Sequence, residues 1–147
     1  MDFLLDCNDV FSDEVEAQPA HDQWPSEGQI LARASTRSLF AKDWVSMYWV
    51  IDDHDLYLYK SKMDYDLNMR GSGFKKRIPI AYNLRCLKIH RKDYSGIGSL
   101  LNFMLEEVLD YGPSNVAKFA SPNSDSIEAL YEQLKRRILQ KRRERGV

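Results

Sequence analysis

The sequence predicts a mainly β fold: a seven-stranded, partly open barrel of two antiparallel sheets, capped by one C-terminal α-helix. Two observations support this. From Gly28 to Ala120, short runs rich in aromatic and β-branched residues alternate with polar or glycine-containing turns. Beyond them the apolar residues recur at helical spacing. Seven short strands in a meander form two sheets that close into a barrel, and an amphipathic helix can cover its open end.

Residues 1–27 are predicted to be an acidic tail, disordered or loosely packed, outside the domain. They carry eight of the 22 acidic residues, neither Lys nor Arg, and no sustained apolar period. The remaining residues hold 14 acidic against 21 basic side chains, so the tail either shields a basic body or keeps the chain soluble. The apolar residues around Phe3 are a chance cluster or a short docking motif for a partner.

The first four predicted strands cover residues 30–34, 44–51, 56–60 and 77–80. The polar turn 52–55 joins the second and third as a hairpin. Residues 61–76 are predicted to form a long polar loop. Pro79 lacks an amide hydrogen, so its strand belongs at an edge or a bulge.

Three more strands are predicted at residues 84–90, 101–108 and 116–120, followed by the helix. The helix has an apolar stripe of Ile127, Leu130, Tyr131, Leu134 and Ile138. Its N-terminus is capped by an Asp125–Glu128 pair, or by Asn123 or Ser124. The predicted domain spans residues 28–140, and residues 141–147 are assigned to a basic C-terminal tail.

Several of these segments together resemble the pleckstrin homology (PH) domain family. The residues that carry the resemblance are EGQIL at 27–31, KDWVSMYWVI at 42–51, LYLYK at 56–60, RIPI at 77–80, and the last strand with the helix start at 118–128. The resemblance covers about residues 27–140. It implies a signalling or adaptor module that binds phosphoinositide or other anionic lipid and targets its protein to membranes. WH1 and phosphotyrosine-binding domains share the same barrel and helix.

The sequence departs from the family pattern at four positions. Leu130 stands where the helix usually carries a Trp. Val45 and Met47 stand where phosphoinositide-selective relatives carry two basic residues, and Ala32 where they tend to carry a Lys. These departures argue against tight, stereospecific recognition of a polyphosphorylated inositol.

Basic residues are concentrated in two connections, between the first and second strands and between the third and fourth. In a meander barrel these connections lie at the same end, and phosphate oxygens are bound by converging charged donors. The predicted lipid head-group residues are Arg33, Arg37, Lys42, Lys60, Lys75, Lys76 and Arg77. Leu39 and Phe40, in the first connection, are predicted to insert into the membrane, or else to pack on the barrel rim.

The basic run 135–145 has seven Lys or Arg residues and one Glu. It either extends a binding surface for membrane or nucleic acid, or is a solvated helix end. Nucleic acid is the least favoured partner, because no aromatic platform for bases accompanies the run.

The sequence predicts no enzyme, no metal site and no cofactor. His21, His54 and His90 lack metal-ligand spacing, and no nucleophile or phosphate-loop motif is present. Cys7 and Cys86 do not indicate a disulfide framework, and neither a secretory signal nor a membrane-spanning run appears. We expect a cytoplasmic protein with peripheral membrane association that binds anionic phospholipid or phosphoinositide. The alternative is a protein-protein adaptor with little lipid selectivity.

Overall fold

The computed structural model describes residues 24–34, 44–68 and 72–146. These ranges contain eight strands and two helices. In chain order the elements are β1 Glu27–Ala34, β2 Val45–Ile51, β3 Asp55–Tyr59, α1 Lys62–Leu67, β4 Lys76–Pro79, β5 Leu84–Cys86, β6 His90–Tyr94, β7 Gly98–Leu109, β8 Gly112–Ser121 and α2 Ser124–Arg145.

The predicted fold class, an antiparallel β structure capped by a long C-terminal helix, is confirmed. The strands form one continuous sheet in the order β4-β3-β2-β1-β8-β7-β5, with β6 also paired to β7. The two predicted sheets are joined through β1, which pairs with β2 along Glu27 to Ala32 and with β8 along Leu31 to Ala34.

The fifth predicted strand, residues 84–90, is divided into β5 and β6 in the structure. Both pair with β7: Cys86 lies opposite Leu105, and His90 lies opposite Asn102. From Cys86 to His90 the chain advances four residues, whereas on β7 it advances three residues between the two partners. The extra residue breaks the ladder as a β-bulge does, so the strand count rises without changing the topology.

The loop predicted at residues 61–76 contains the short helix α1. The Ser61 hydroxyl caps it by accepting a hydrogen bond from the Asp64 backbone N–H at 3.1 Å. Tyr65 then packs against Tyr48 and Tyr59 on the outer face of the sheet, with ring centroids 5.9 and 5.1 Å apart. Because α1 has six residues, tertiary packing rather than helix propensity must stabilise it.

The core lies between the inner face of the sheet and the apolar stripe of α2. Phe103 packs its ring against Phe119 of β8 and Tyr131 of α2. Leu130 and Leu134 have no exposed surface. The helix therefore removes its own stripe and the open end of the sheet from water together.

Asn123 is the N-cap of α2, which was one of the predicted alternatives. Its side-chain oxygen accepts hydrogen bonds from the backbone N–H groups of Asp125 and Ser126, at 2.8 and 3.2 Å. The helix does not end at residue 140 but continues to Arg145, where Gly146 in the left-handed conformation terminates it. Residues 141–145 are thus the last turn of the helix rather than a separate tail.

Basic side chains near the end of α2 bind backbone groups of the domain. Arg142 donates to the carbonyl oxygens of Tyr82 and Leu84 at 3.0 and 2.9 Å, beside the edge strand β5. Arg137 donates to the carbonyl of Asp52 at 2.7 Å. These cations of the basic run therefore anchor the helix to the turns beneath it.

The chain just before β1 also contacts α2. The buried side-chain amide of Gln133 donates to the carbonyls of Trp24 and Pro25, at 2.8 and 3.0 Å. Trp24 packs on the core, and β1 begins at Glu27, so residues 24–27 of the predicted tail lie against the domain. Residues 1–23 lie outside the described ranges. Neither described helix is long and apolar enough to cross a lipid bilayer.

Candidate functional site

A cavity of about 320 Å³ lies at the end of the sheet from which the β1–β2 and β3–β4 connections leave; we call it the end cavity. Ala32 of β1 faces Val45 of β2 across the ladder, and Leu58 of β3 faces Lys76 of β4. These pairs place four strands around the opening. The lining residues are Ala32, Val45, Met47, Leu58, Lys75, Lys76 and Ala117.

The wall of the end cavity is mainly apolar. Ala32, Val45 and Met47, the three positions singled out as departures from the basic pattern, all line it. Val45 is 53% exposed at the opening, while Ala32 is buried. None of these side chains can donate a hydrogen bond to a phosphate oxygen.

Lys75 and Lys76 supply the positive charge of the end cavity. The Lys76 ammonium is half-buried and lies 3.4 Å from the Val116 carbonyl oxygen. Burial lowers the pKa of Lys76, because desolvation penalises its charged form. Lys75 is exposed, and its backbone N–H donates to the Leu58 carbonyl at 2.7 Å, which fixes it at the opening.

Lys60 lies at the same end without lining the cavity. It is exposed and follows β3 by one residue, two positions after Leu58. Within residues 24–34, 44–68 and 72–146, no carboxylate forms an ion pair with Lys60, Lys75 or Lys76. Three cations at this end are therefore without an acidic partner in the described part of the chain.

Arg77 does not join this group. Its neighbour Ile78 faces the core, so Arg77 projects from the opposite, outer face of β4. There its Nε lies 3.8 Å from the Asp55 carboxylate. Because successive strand residues face opposite sides, Lys76 and Arg77 cannot both enter the cavity.

Arg33 is also directed away from the end cavity. Its guanidinium carbon lies 4.3 Å from the ring centroid of Trp44 and 5.9 Å from that of Tyr94. Trp44 and Tyr94 are themselves in edge-to-face contact at 5.8 Å. The Arg33 Nε is buried and has no hydrogen-bond partner in the described part of the chain, so stacking on aromatic rings is its main described contact.

Four of the predicted site residues, Arg37, Leu39, Phe40 and Lys42, lie outside the described residues. Two lining residues were missed by the sequence analysis, Leu58 and Ala117. Their period-two alternation with Leu56 and Phe119, which face the core, is the signal that places them on the inner face.

The described ranges contain no group of three or more His, Cys, Asp or Glu side chains arranged to hold a metal ion. Cys86 borders a small groove between β5 and α2. Burial raises the pKa of its thiol to about 12, so the reactive thiolate is scarce at neutral pH.

The fold is similar to that of a PH domain of known structure. The Slm1 PH domain in complex with inositol-4-phosphate aligns with a TM-score of 0.54 and 17% identity, over 78% of this chain and 96% of that one. The Slm1 PH domain in complex with phosphoserine aligns with a TM-score of 0.52 and 17% identity, over 79% and 94%. No protein-family model and no curated protein sequence matches the chain. At this identity the likeness shows the fold alone.

Proposed function

We propose that this chain, which has the fold of a pleckstrin homology domain, is a non-enzymatic module that binds anionic membrane surfaces reversibly and recruits its protein to them. The observation that carries the proposal is the cluster of Lys60, Lys75 and Lys76 at one end of the sheet, without an acidic partner among the described residues. Each basic residue close to an anionic leaflet contributes about 1 kcal/mol. Three such residues give weak, reversible binding.

The ligand class is phosphate-bearing lipid, recognised by charge more than by stereochemistry. The Slm1 PH domain forms complexes with inositol-4-phosphate and with phosphoserine, which are both phosphate esters. In this chain the apolar wall of Ala32, Val45 and Met47 offers such a group no hydrogen-bond donor. We therefore propose binding to anionic lipid in general, phosphoinositides included, at the peripheral cytoplasmic face of a membrane.

The proposal includes four further residues on the evidence of the sequence alone: Arg37, Leu39, Phe40 and Lys42. They belong to the connection between β1 and β2, which leaves from the same end. Arg37 and Lys42 would add positive charge there. Leu39 and Phe40 would insert into the membrane, at the boundary between the lipid head groups and the acyl chains.

One observation favours a second function, that of a protein-protein adaptor. Val45 is more than half exposed beside Met47 at the opening of the end cavity. An apolar opening of this kind suits the apolar side chain of a partner protein, and lipid affinity would then be incidental.

The proposal is tested by co-sedimentation of the full chain with vesicles of phosphatidylcholine containing phosphatidylserine, over a salt series. Binding is expected at low salt and should weaken strongly as ionic strength rises to about 0.15 M, where the Debye length falls to about 8 Å. Pure phosphatidylcholine vesicles are the control. Absence of binding at low salt would contradict the membrane proposal and leave the adaptor function.

A further inference from the structure

A second cavity, of about 240 Å³, lies on the outer face of the sheet, away from the end cavity; we call it the tyrosine cavity. Its aromatic walls are Tyr57 and Tyr59 of β3 and Tyr65 of α1, and Val50 of β2 also lines it. Two carboxylates belong to the lining, Glu27 at the start of β1 and Asp52 just after β2, and Ser26 and Ile51 make up the rest. The short helix α1, by holding Tyr65 over the strands, forms one side.

The surroundings of the tyrosine cavity are electronegative. The pKa of Tyr57 is raised by burial and by the charges of Asp55 and Asp52. The pKa of Tyr48, next to the cavity, is raised by burial and by Glu27, whose carboxylate accepts a hydrogen bond from the Tyr48 hydroxyl. Both hydroxyls therefore stay neutral at physiological pH; the Tyr57 ring lines the cavity, whereas the Tyr48 ring is buried beside it.

The basic side chains near the tyrosine cavity bind other groups. Lys62 pairs with Asp66 at 2.9 Å, Arg77 lies 3.8 Å from Asp55, and Arg137 donates to the backbone carbonyl of Asp52. Glu27 and Asp52 form no ion pair within the described ranges. A domain that is basic at its other end thus has a pocket of rings and carboxylates.

Aromatic rings combined with carboxylates around a small cavity recognise weakly hydrated organic cations, above all quaternary ammonium groups. We propose that the tyrosine cavity binds a quaternary ammonium group, the trimethylated lysine side chain of a partner peptide. The location favours a peptide over a lipid head group. Asp52 follows the C-terminal end of β2, whereas Val45 at the N-terminal end lines the end cavity, so a protein can occupy the tyrosine cavity while the lysines face a membrane.

The test is an NMR titration of the full chain, following the methyl groups of Val50 and the rings of Tyr57 and Tyr65. The probes are a trimethyllysine peptide, the same peptide with unmodified lysine, choline, and 3,3-dimethylbutan-1-ol, the neutral isostere of choline. The trimethyllysine peptide and choline are expected to give saturable shifts. The unmodified peptide and the neutral isostere should bind about tenfold more weakly or worse.

Variants separate charge from ring contact. Glu27→Gln keeps an acceptor for Tyr48 but removes the charge, and it should weaken choline binding several-fold. Glu128→Gln, an exposed residue on α2 outside the cavity, is the matched control. Tyr57→Phe should retain most binding, because the ring persists, whereas Tyr57→Leu should lose about tenfold.

Three results would overturn the inference. Equal affinities for choline and its neutral isostere would show that the cavity binds apolar groups without recognising positive charge. Absence of saturable shifts would show that the tyrosine cavity is not a binding site for these ligands. Saturable shifts of the same resonances by soluble phosphocholine, but not by the trimethyllysine peptide, would assign the cavity to a lipid head group. None of these results bears on Lys60, Lys75 and Lys76, so this inference and the membrane proposal fail or succeed separately.

Discussion

Replacing Phe103 with alanine is expected to lower the free energy of unfolding by about 3–5 kcal/mol. Phe103 has no exposed surface, and its ring centroid lies 5.4 Å from that of Phe119 and 5.1 Å from that of Tyr131. The substitution leaves a cavity where the sheet meets α2. The aromatic contacts are lost, and α2 packs less tightly against the sheet. Urea denaturation followed by circular dichroism measures the change.

Val108→Ala is the matched control on the same strand. Val108 is 43% exposed, so its truncation should change the free energy of unfolding by no more than about 0.5 kcal/mol. A loss below about 1 kcal/mol for Phe103→Ala would show that α2 is not the element that closes the core.

Reversing the charge of the two exposed lysines beside the end cavity, in the double variant Lys60→Glu and Lys75→Glu, is expected to weaken binding to phosphatidylserine vesicles at least about thirtyfold. The loss of two attractive charges at about 1 kcal/mol each already gives that factor, and the new carboxylates add repulsion. Lys76 is left in place because its half-buried ammonium contacts the Val116 carbonyl. Vesicle co-sedimentation at fixed salt measures the effect.

The control for this reversal has the same change in net charge. Lys88→Glu with Arg143→Glu alters two exposed bases that do not line the end cavity. It should reduce vesicle binding far less than the lysine pair. Equal losses in the two double variants would mean that net charge, rather than the end of the sheet, governs binding.

The strands and α2 were predictable because their signals are local. Aromatic and β-branched runs predict strands, and the stripe from Ile127 to Ile138 predicts the buried face of the helix. The helix α1 was not predictable. It has fewer than two turns, and Tyr65 is held by Tyr48 and Tyr59, which lie in other elements.

The site was predictable as a location more than as a set of side chains. The meander order predicted that the β3–β4 connection, with Lys75 and Lys76, lies at the same end as Val45 and Ala32.

The sequence does not show to which face of the sheet each basic side chain projects. A shift of one position along a strand moves a side chain to the opposite face. Arg77 and Arg33 therefore project outward, to Asp55 and to Trp44, although their immediate neighbours Lys76 and Ala32 line the cavity.

The division of the fifth strand depends on pairing that the sequence does not display. One residue more lies between Cys86 and His90 than between their partners on β7. The register with β7 decides where the bulge falls, and that register is a long-range property.

The most direct test of the account compares vesicles that carry the same surface charge, supplied either by phosphatidylserine or by phosphatidylinositol 4,5-bisphosphate. If the end cavity reads charge without stereochemistry, the two affinities should agree within about threefold at every salt concentration. A preference of more than about tenfold for the phosphoinositide at matched charge would contradict this, because it requires hydrogen-bond donors that Ala32, Val45 and Met47 do not supply.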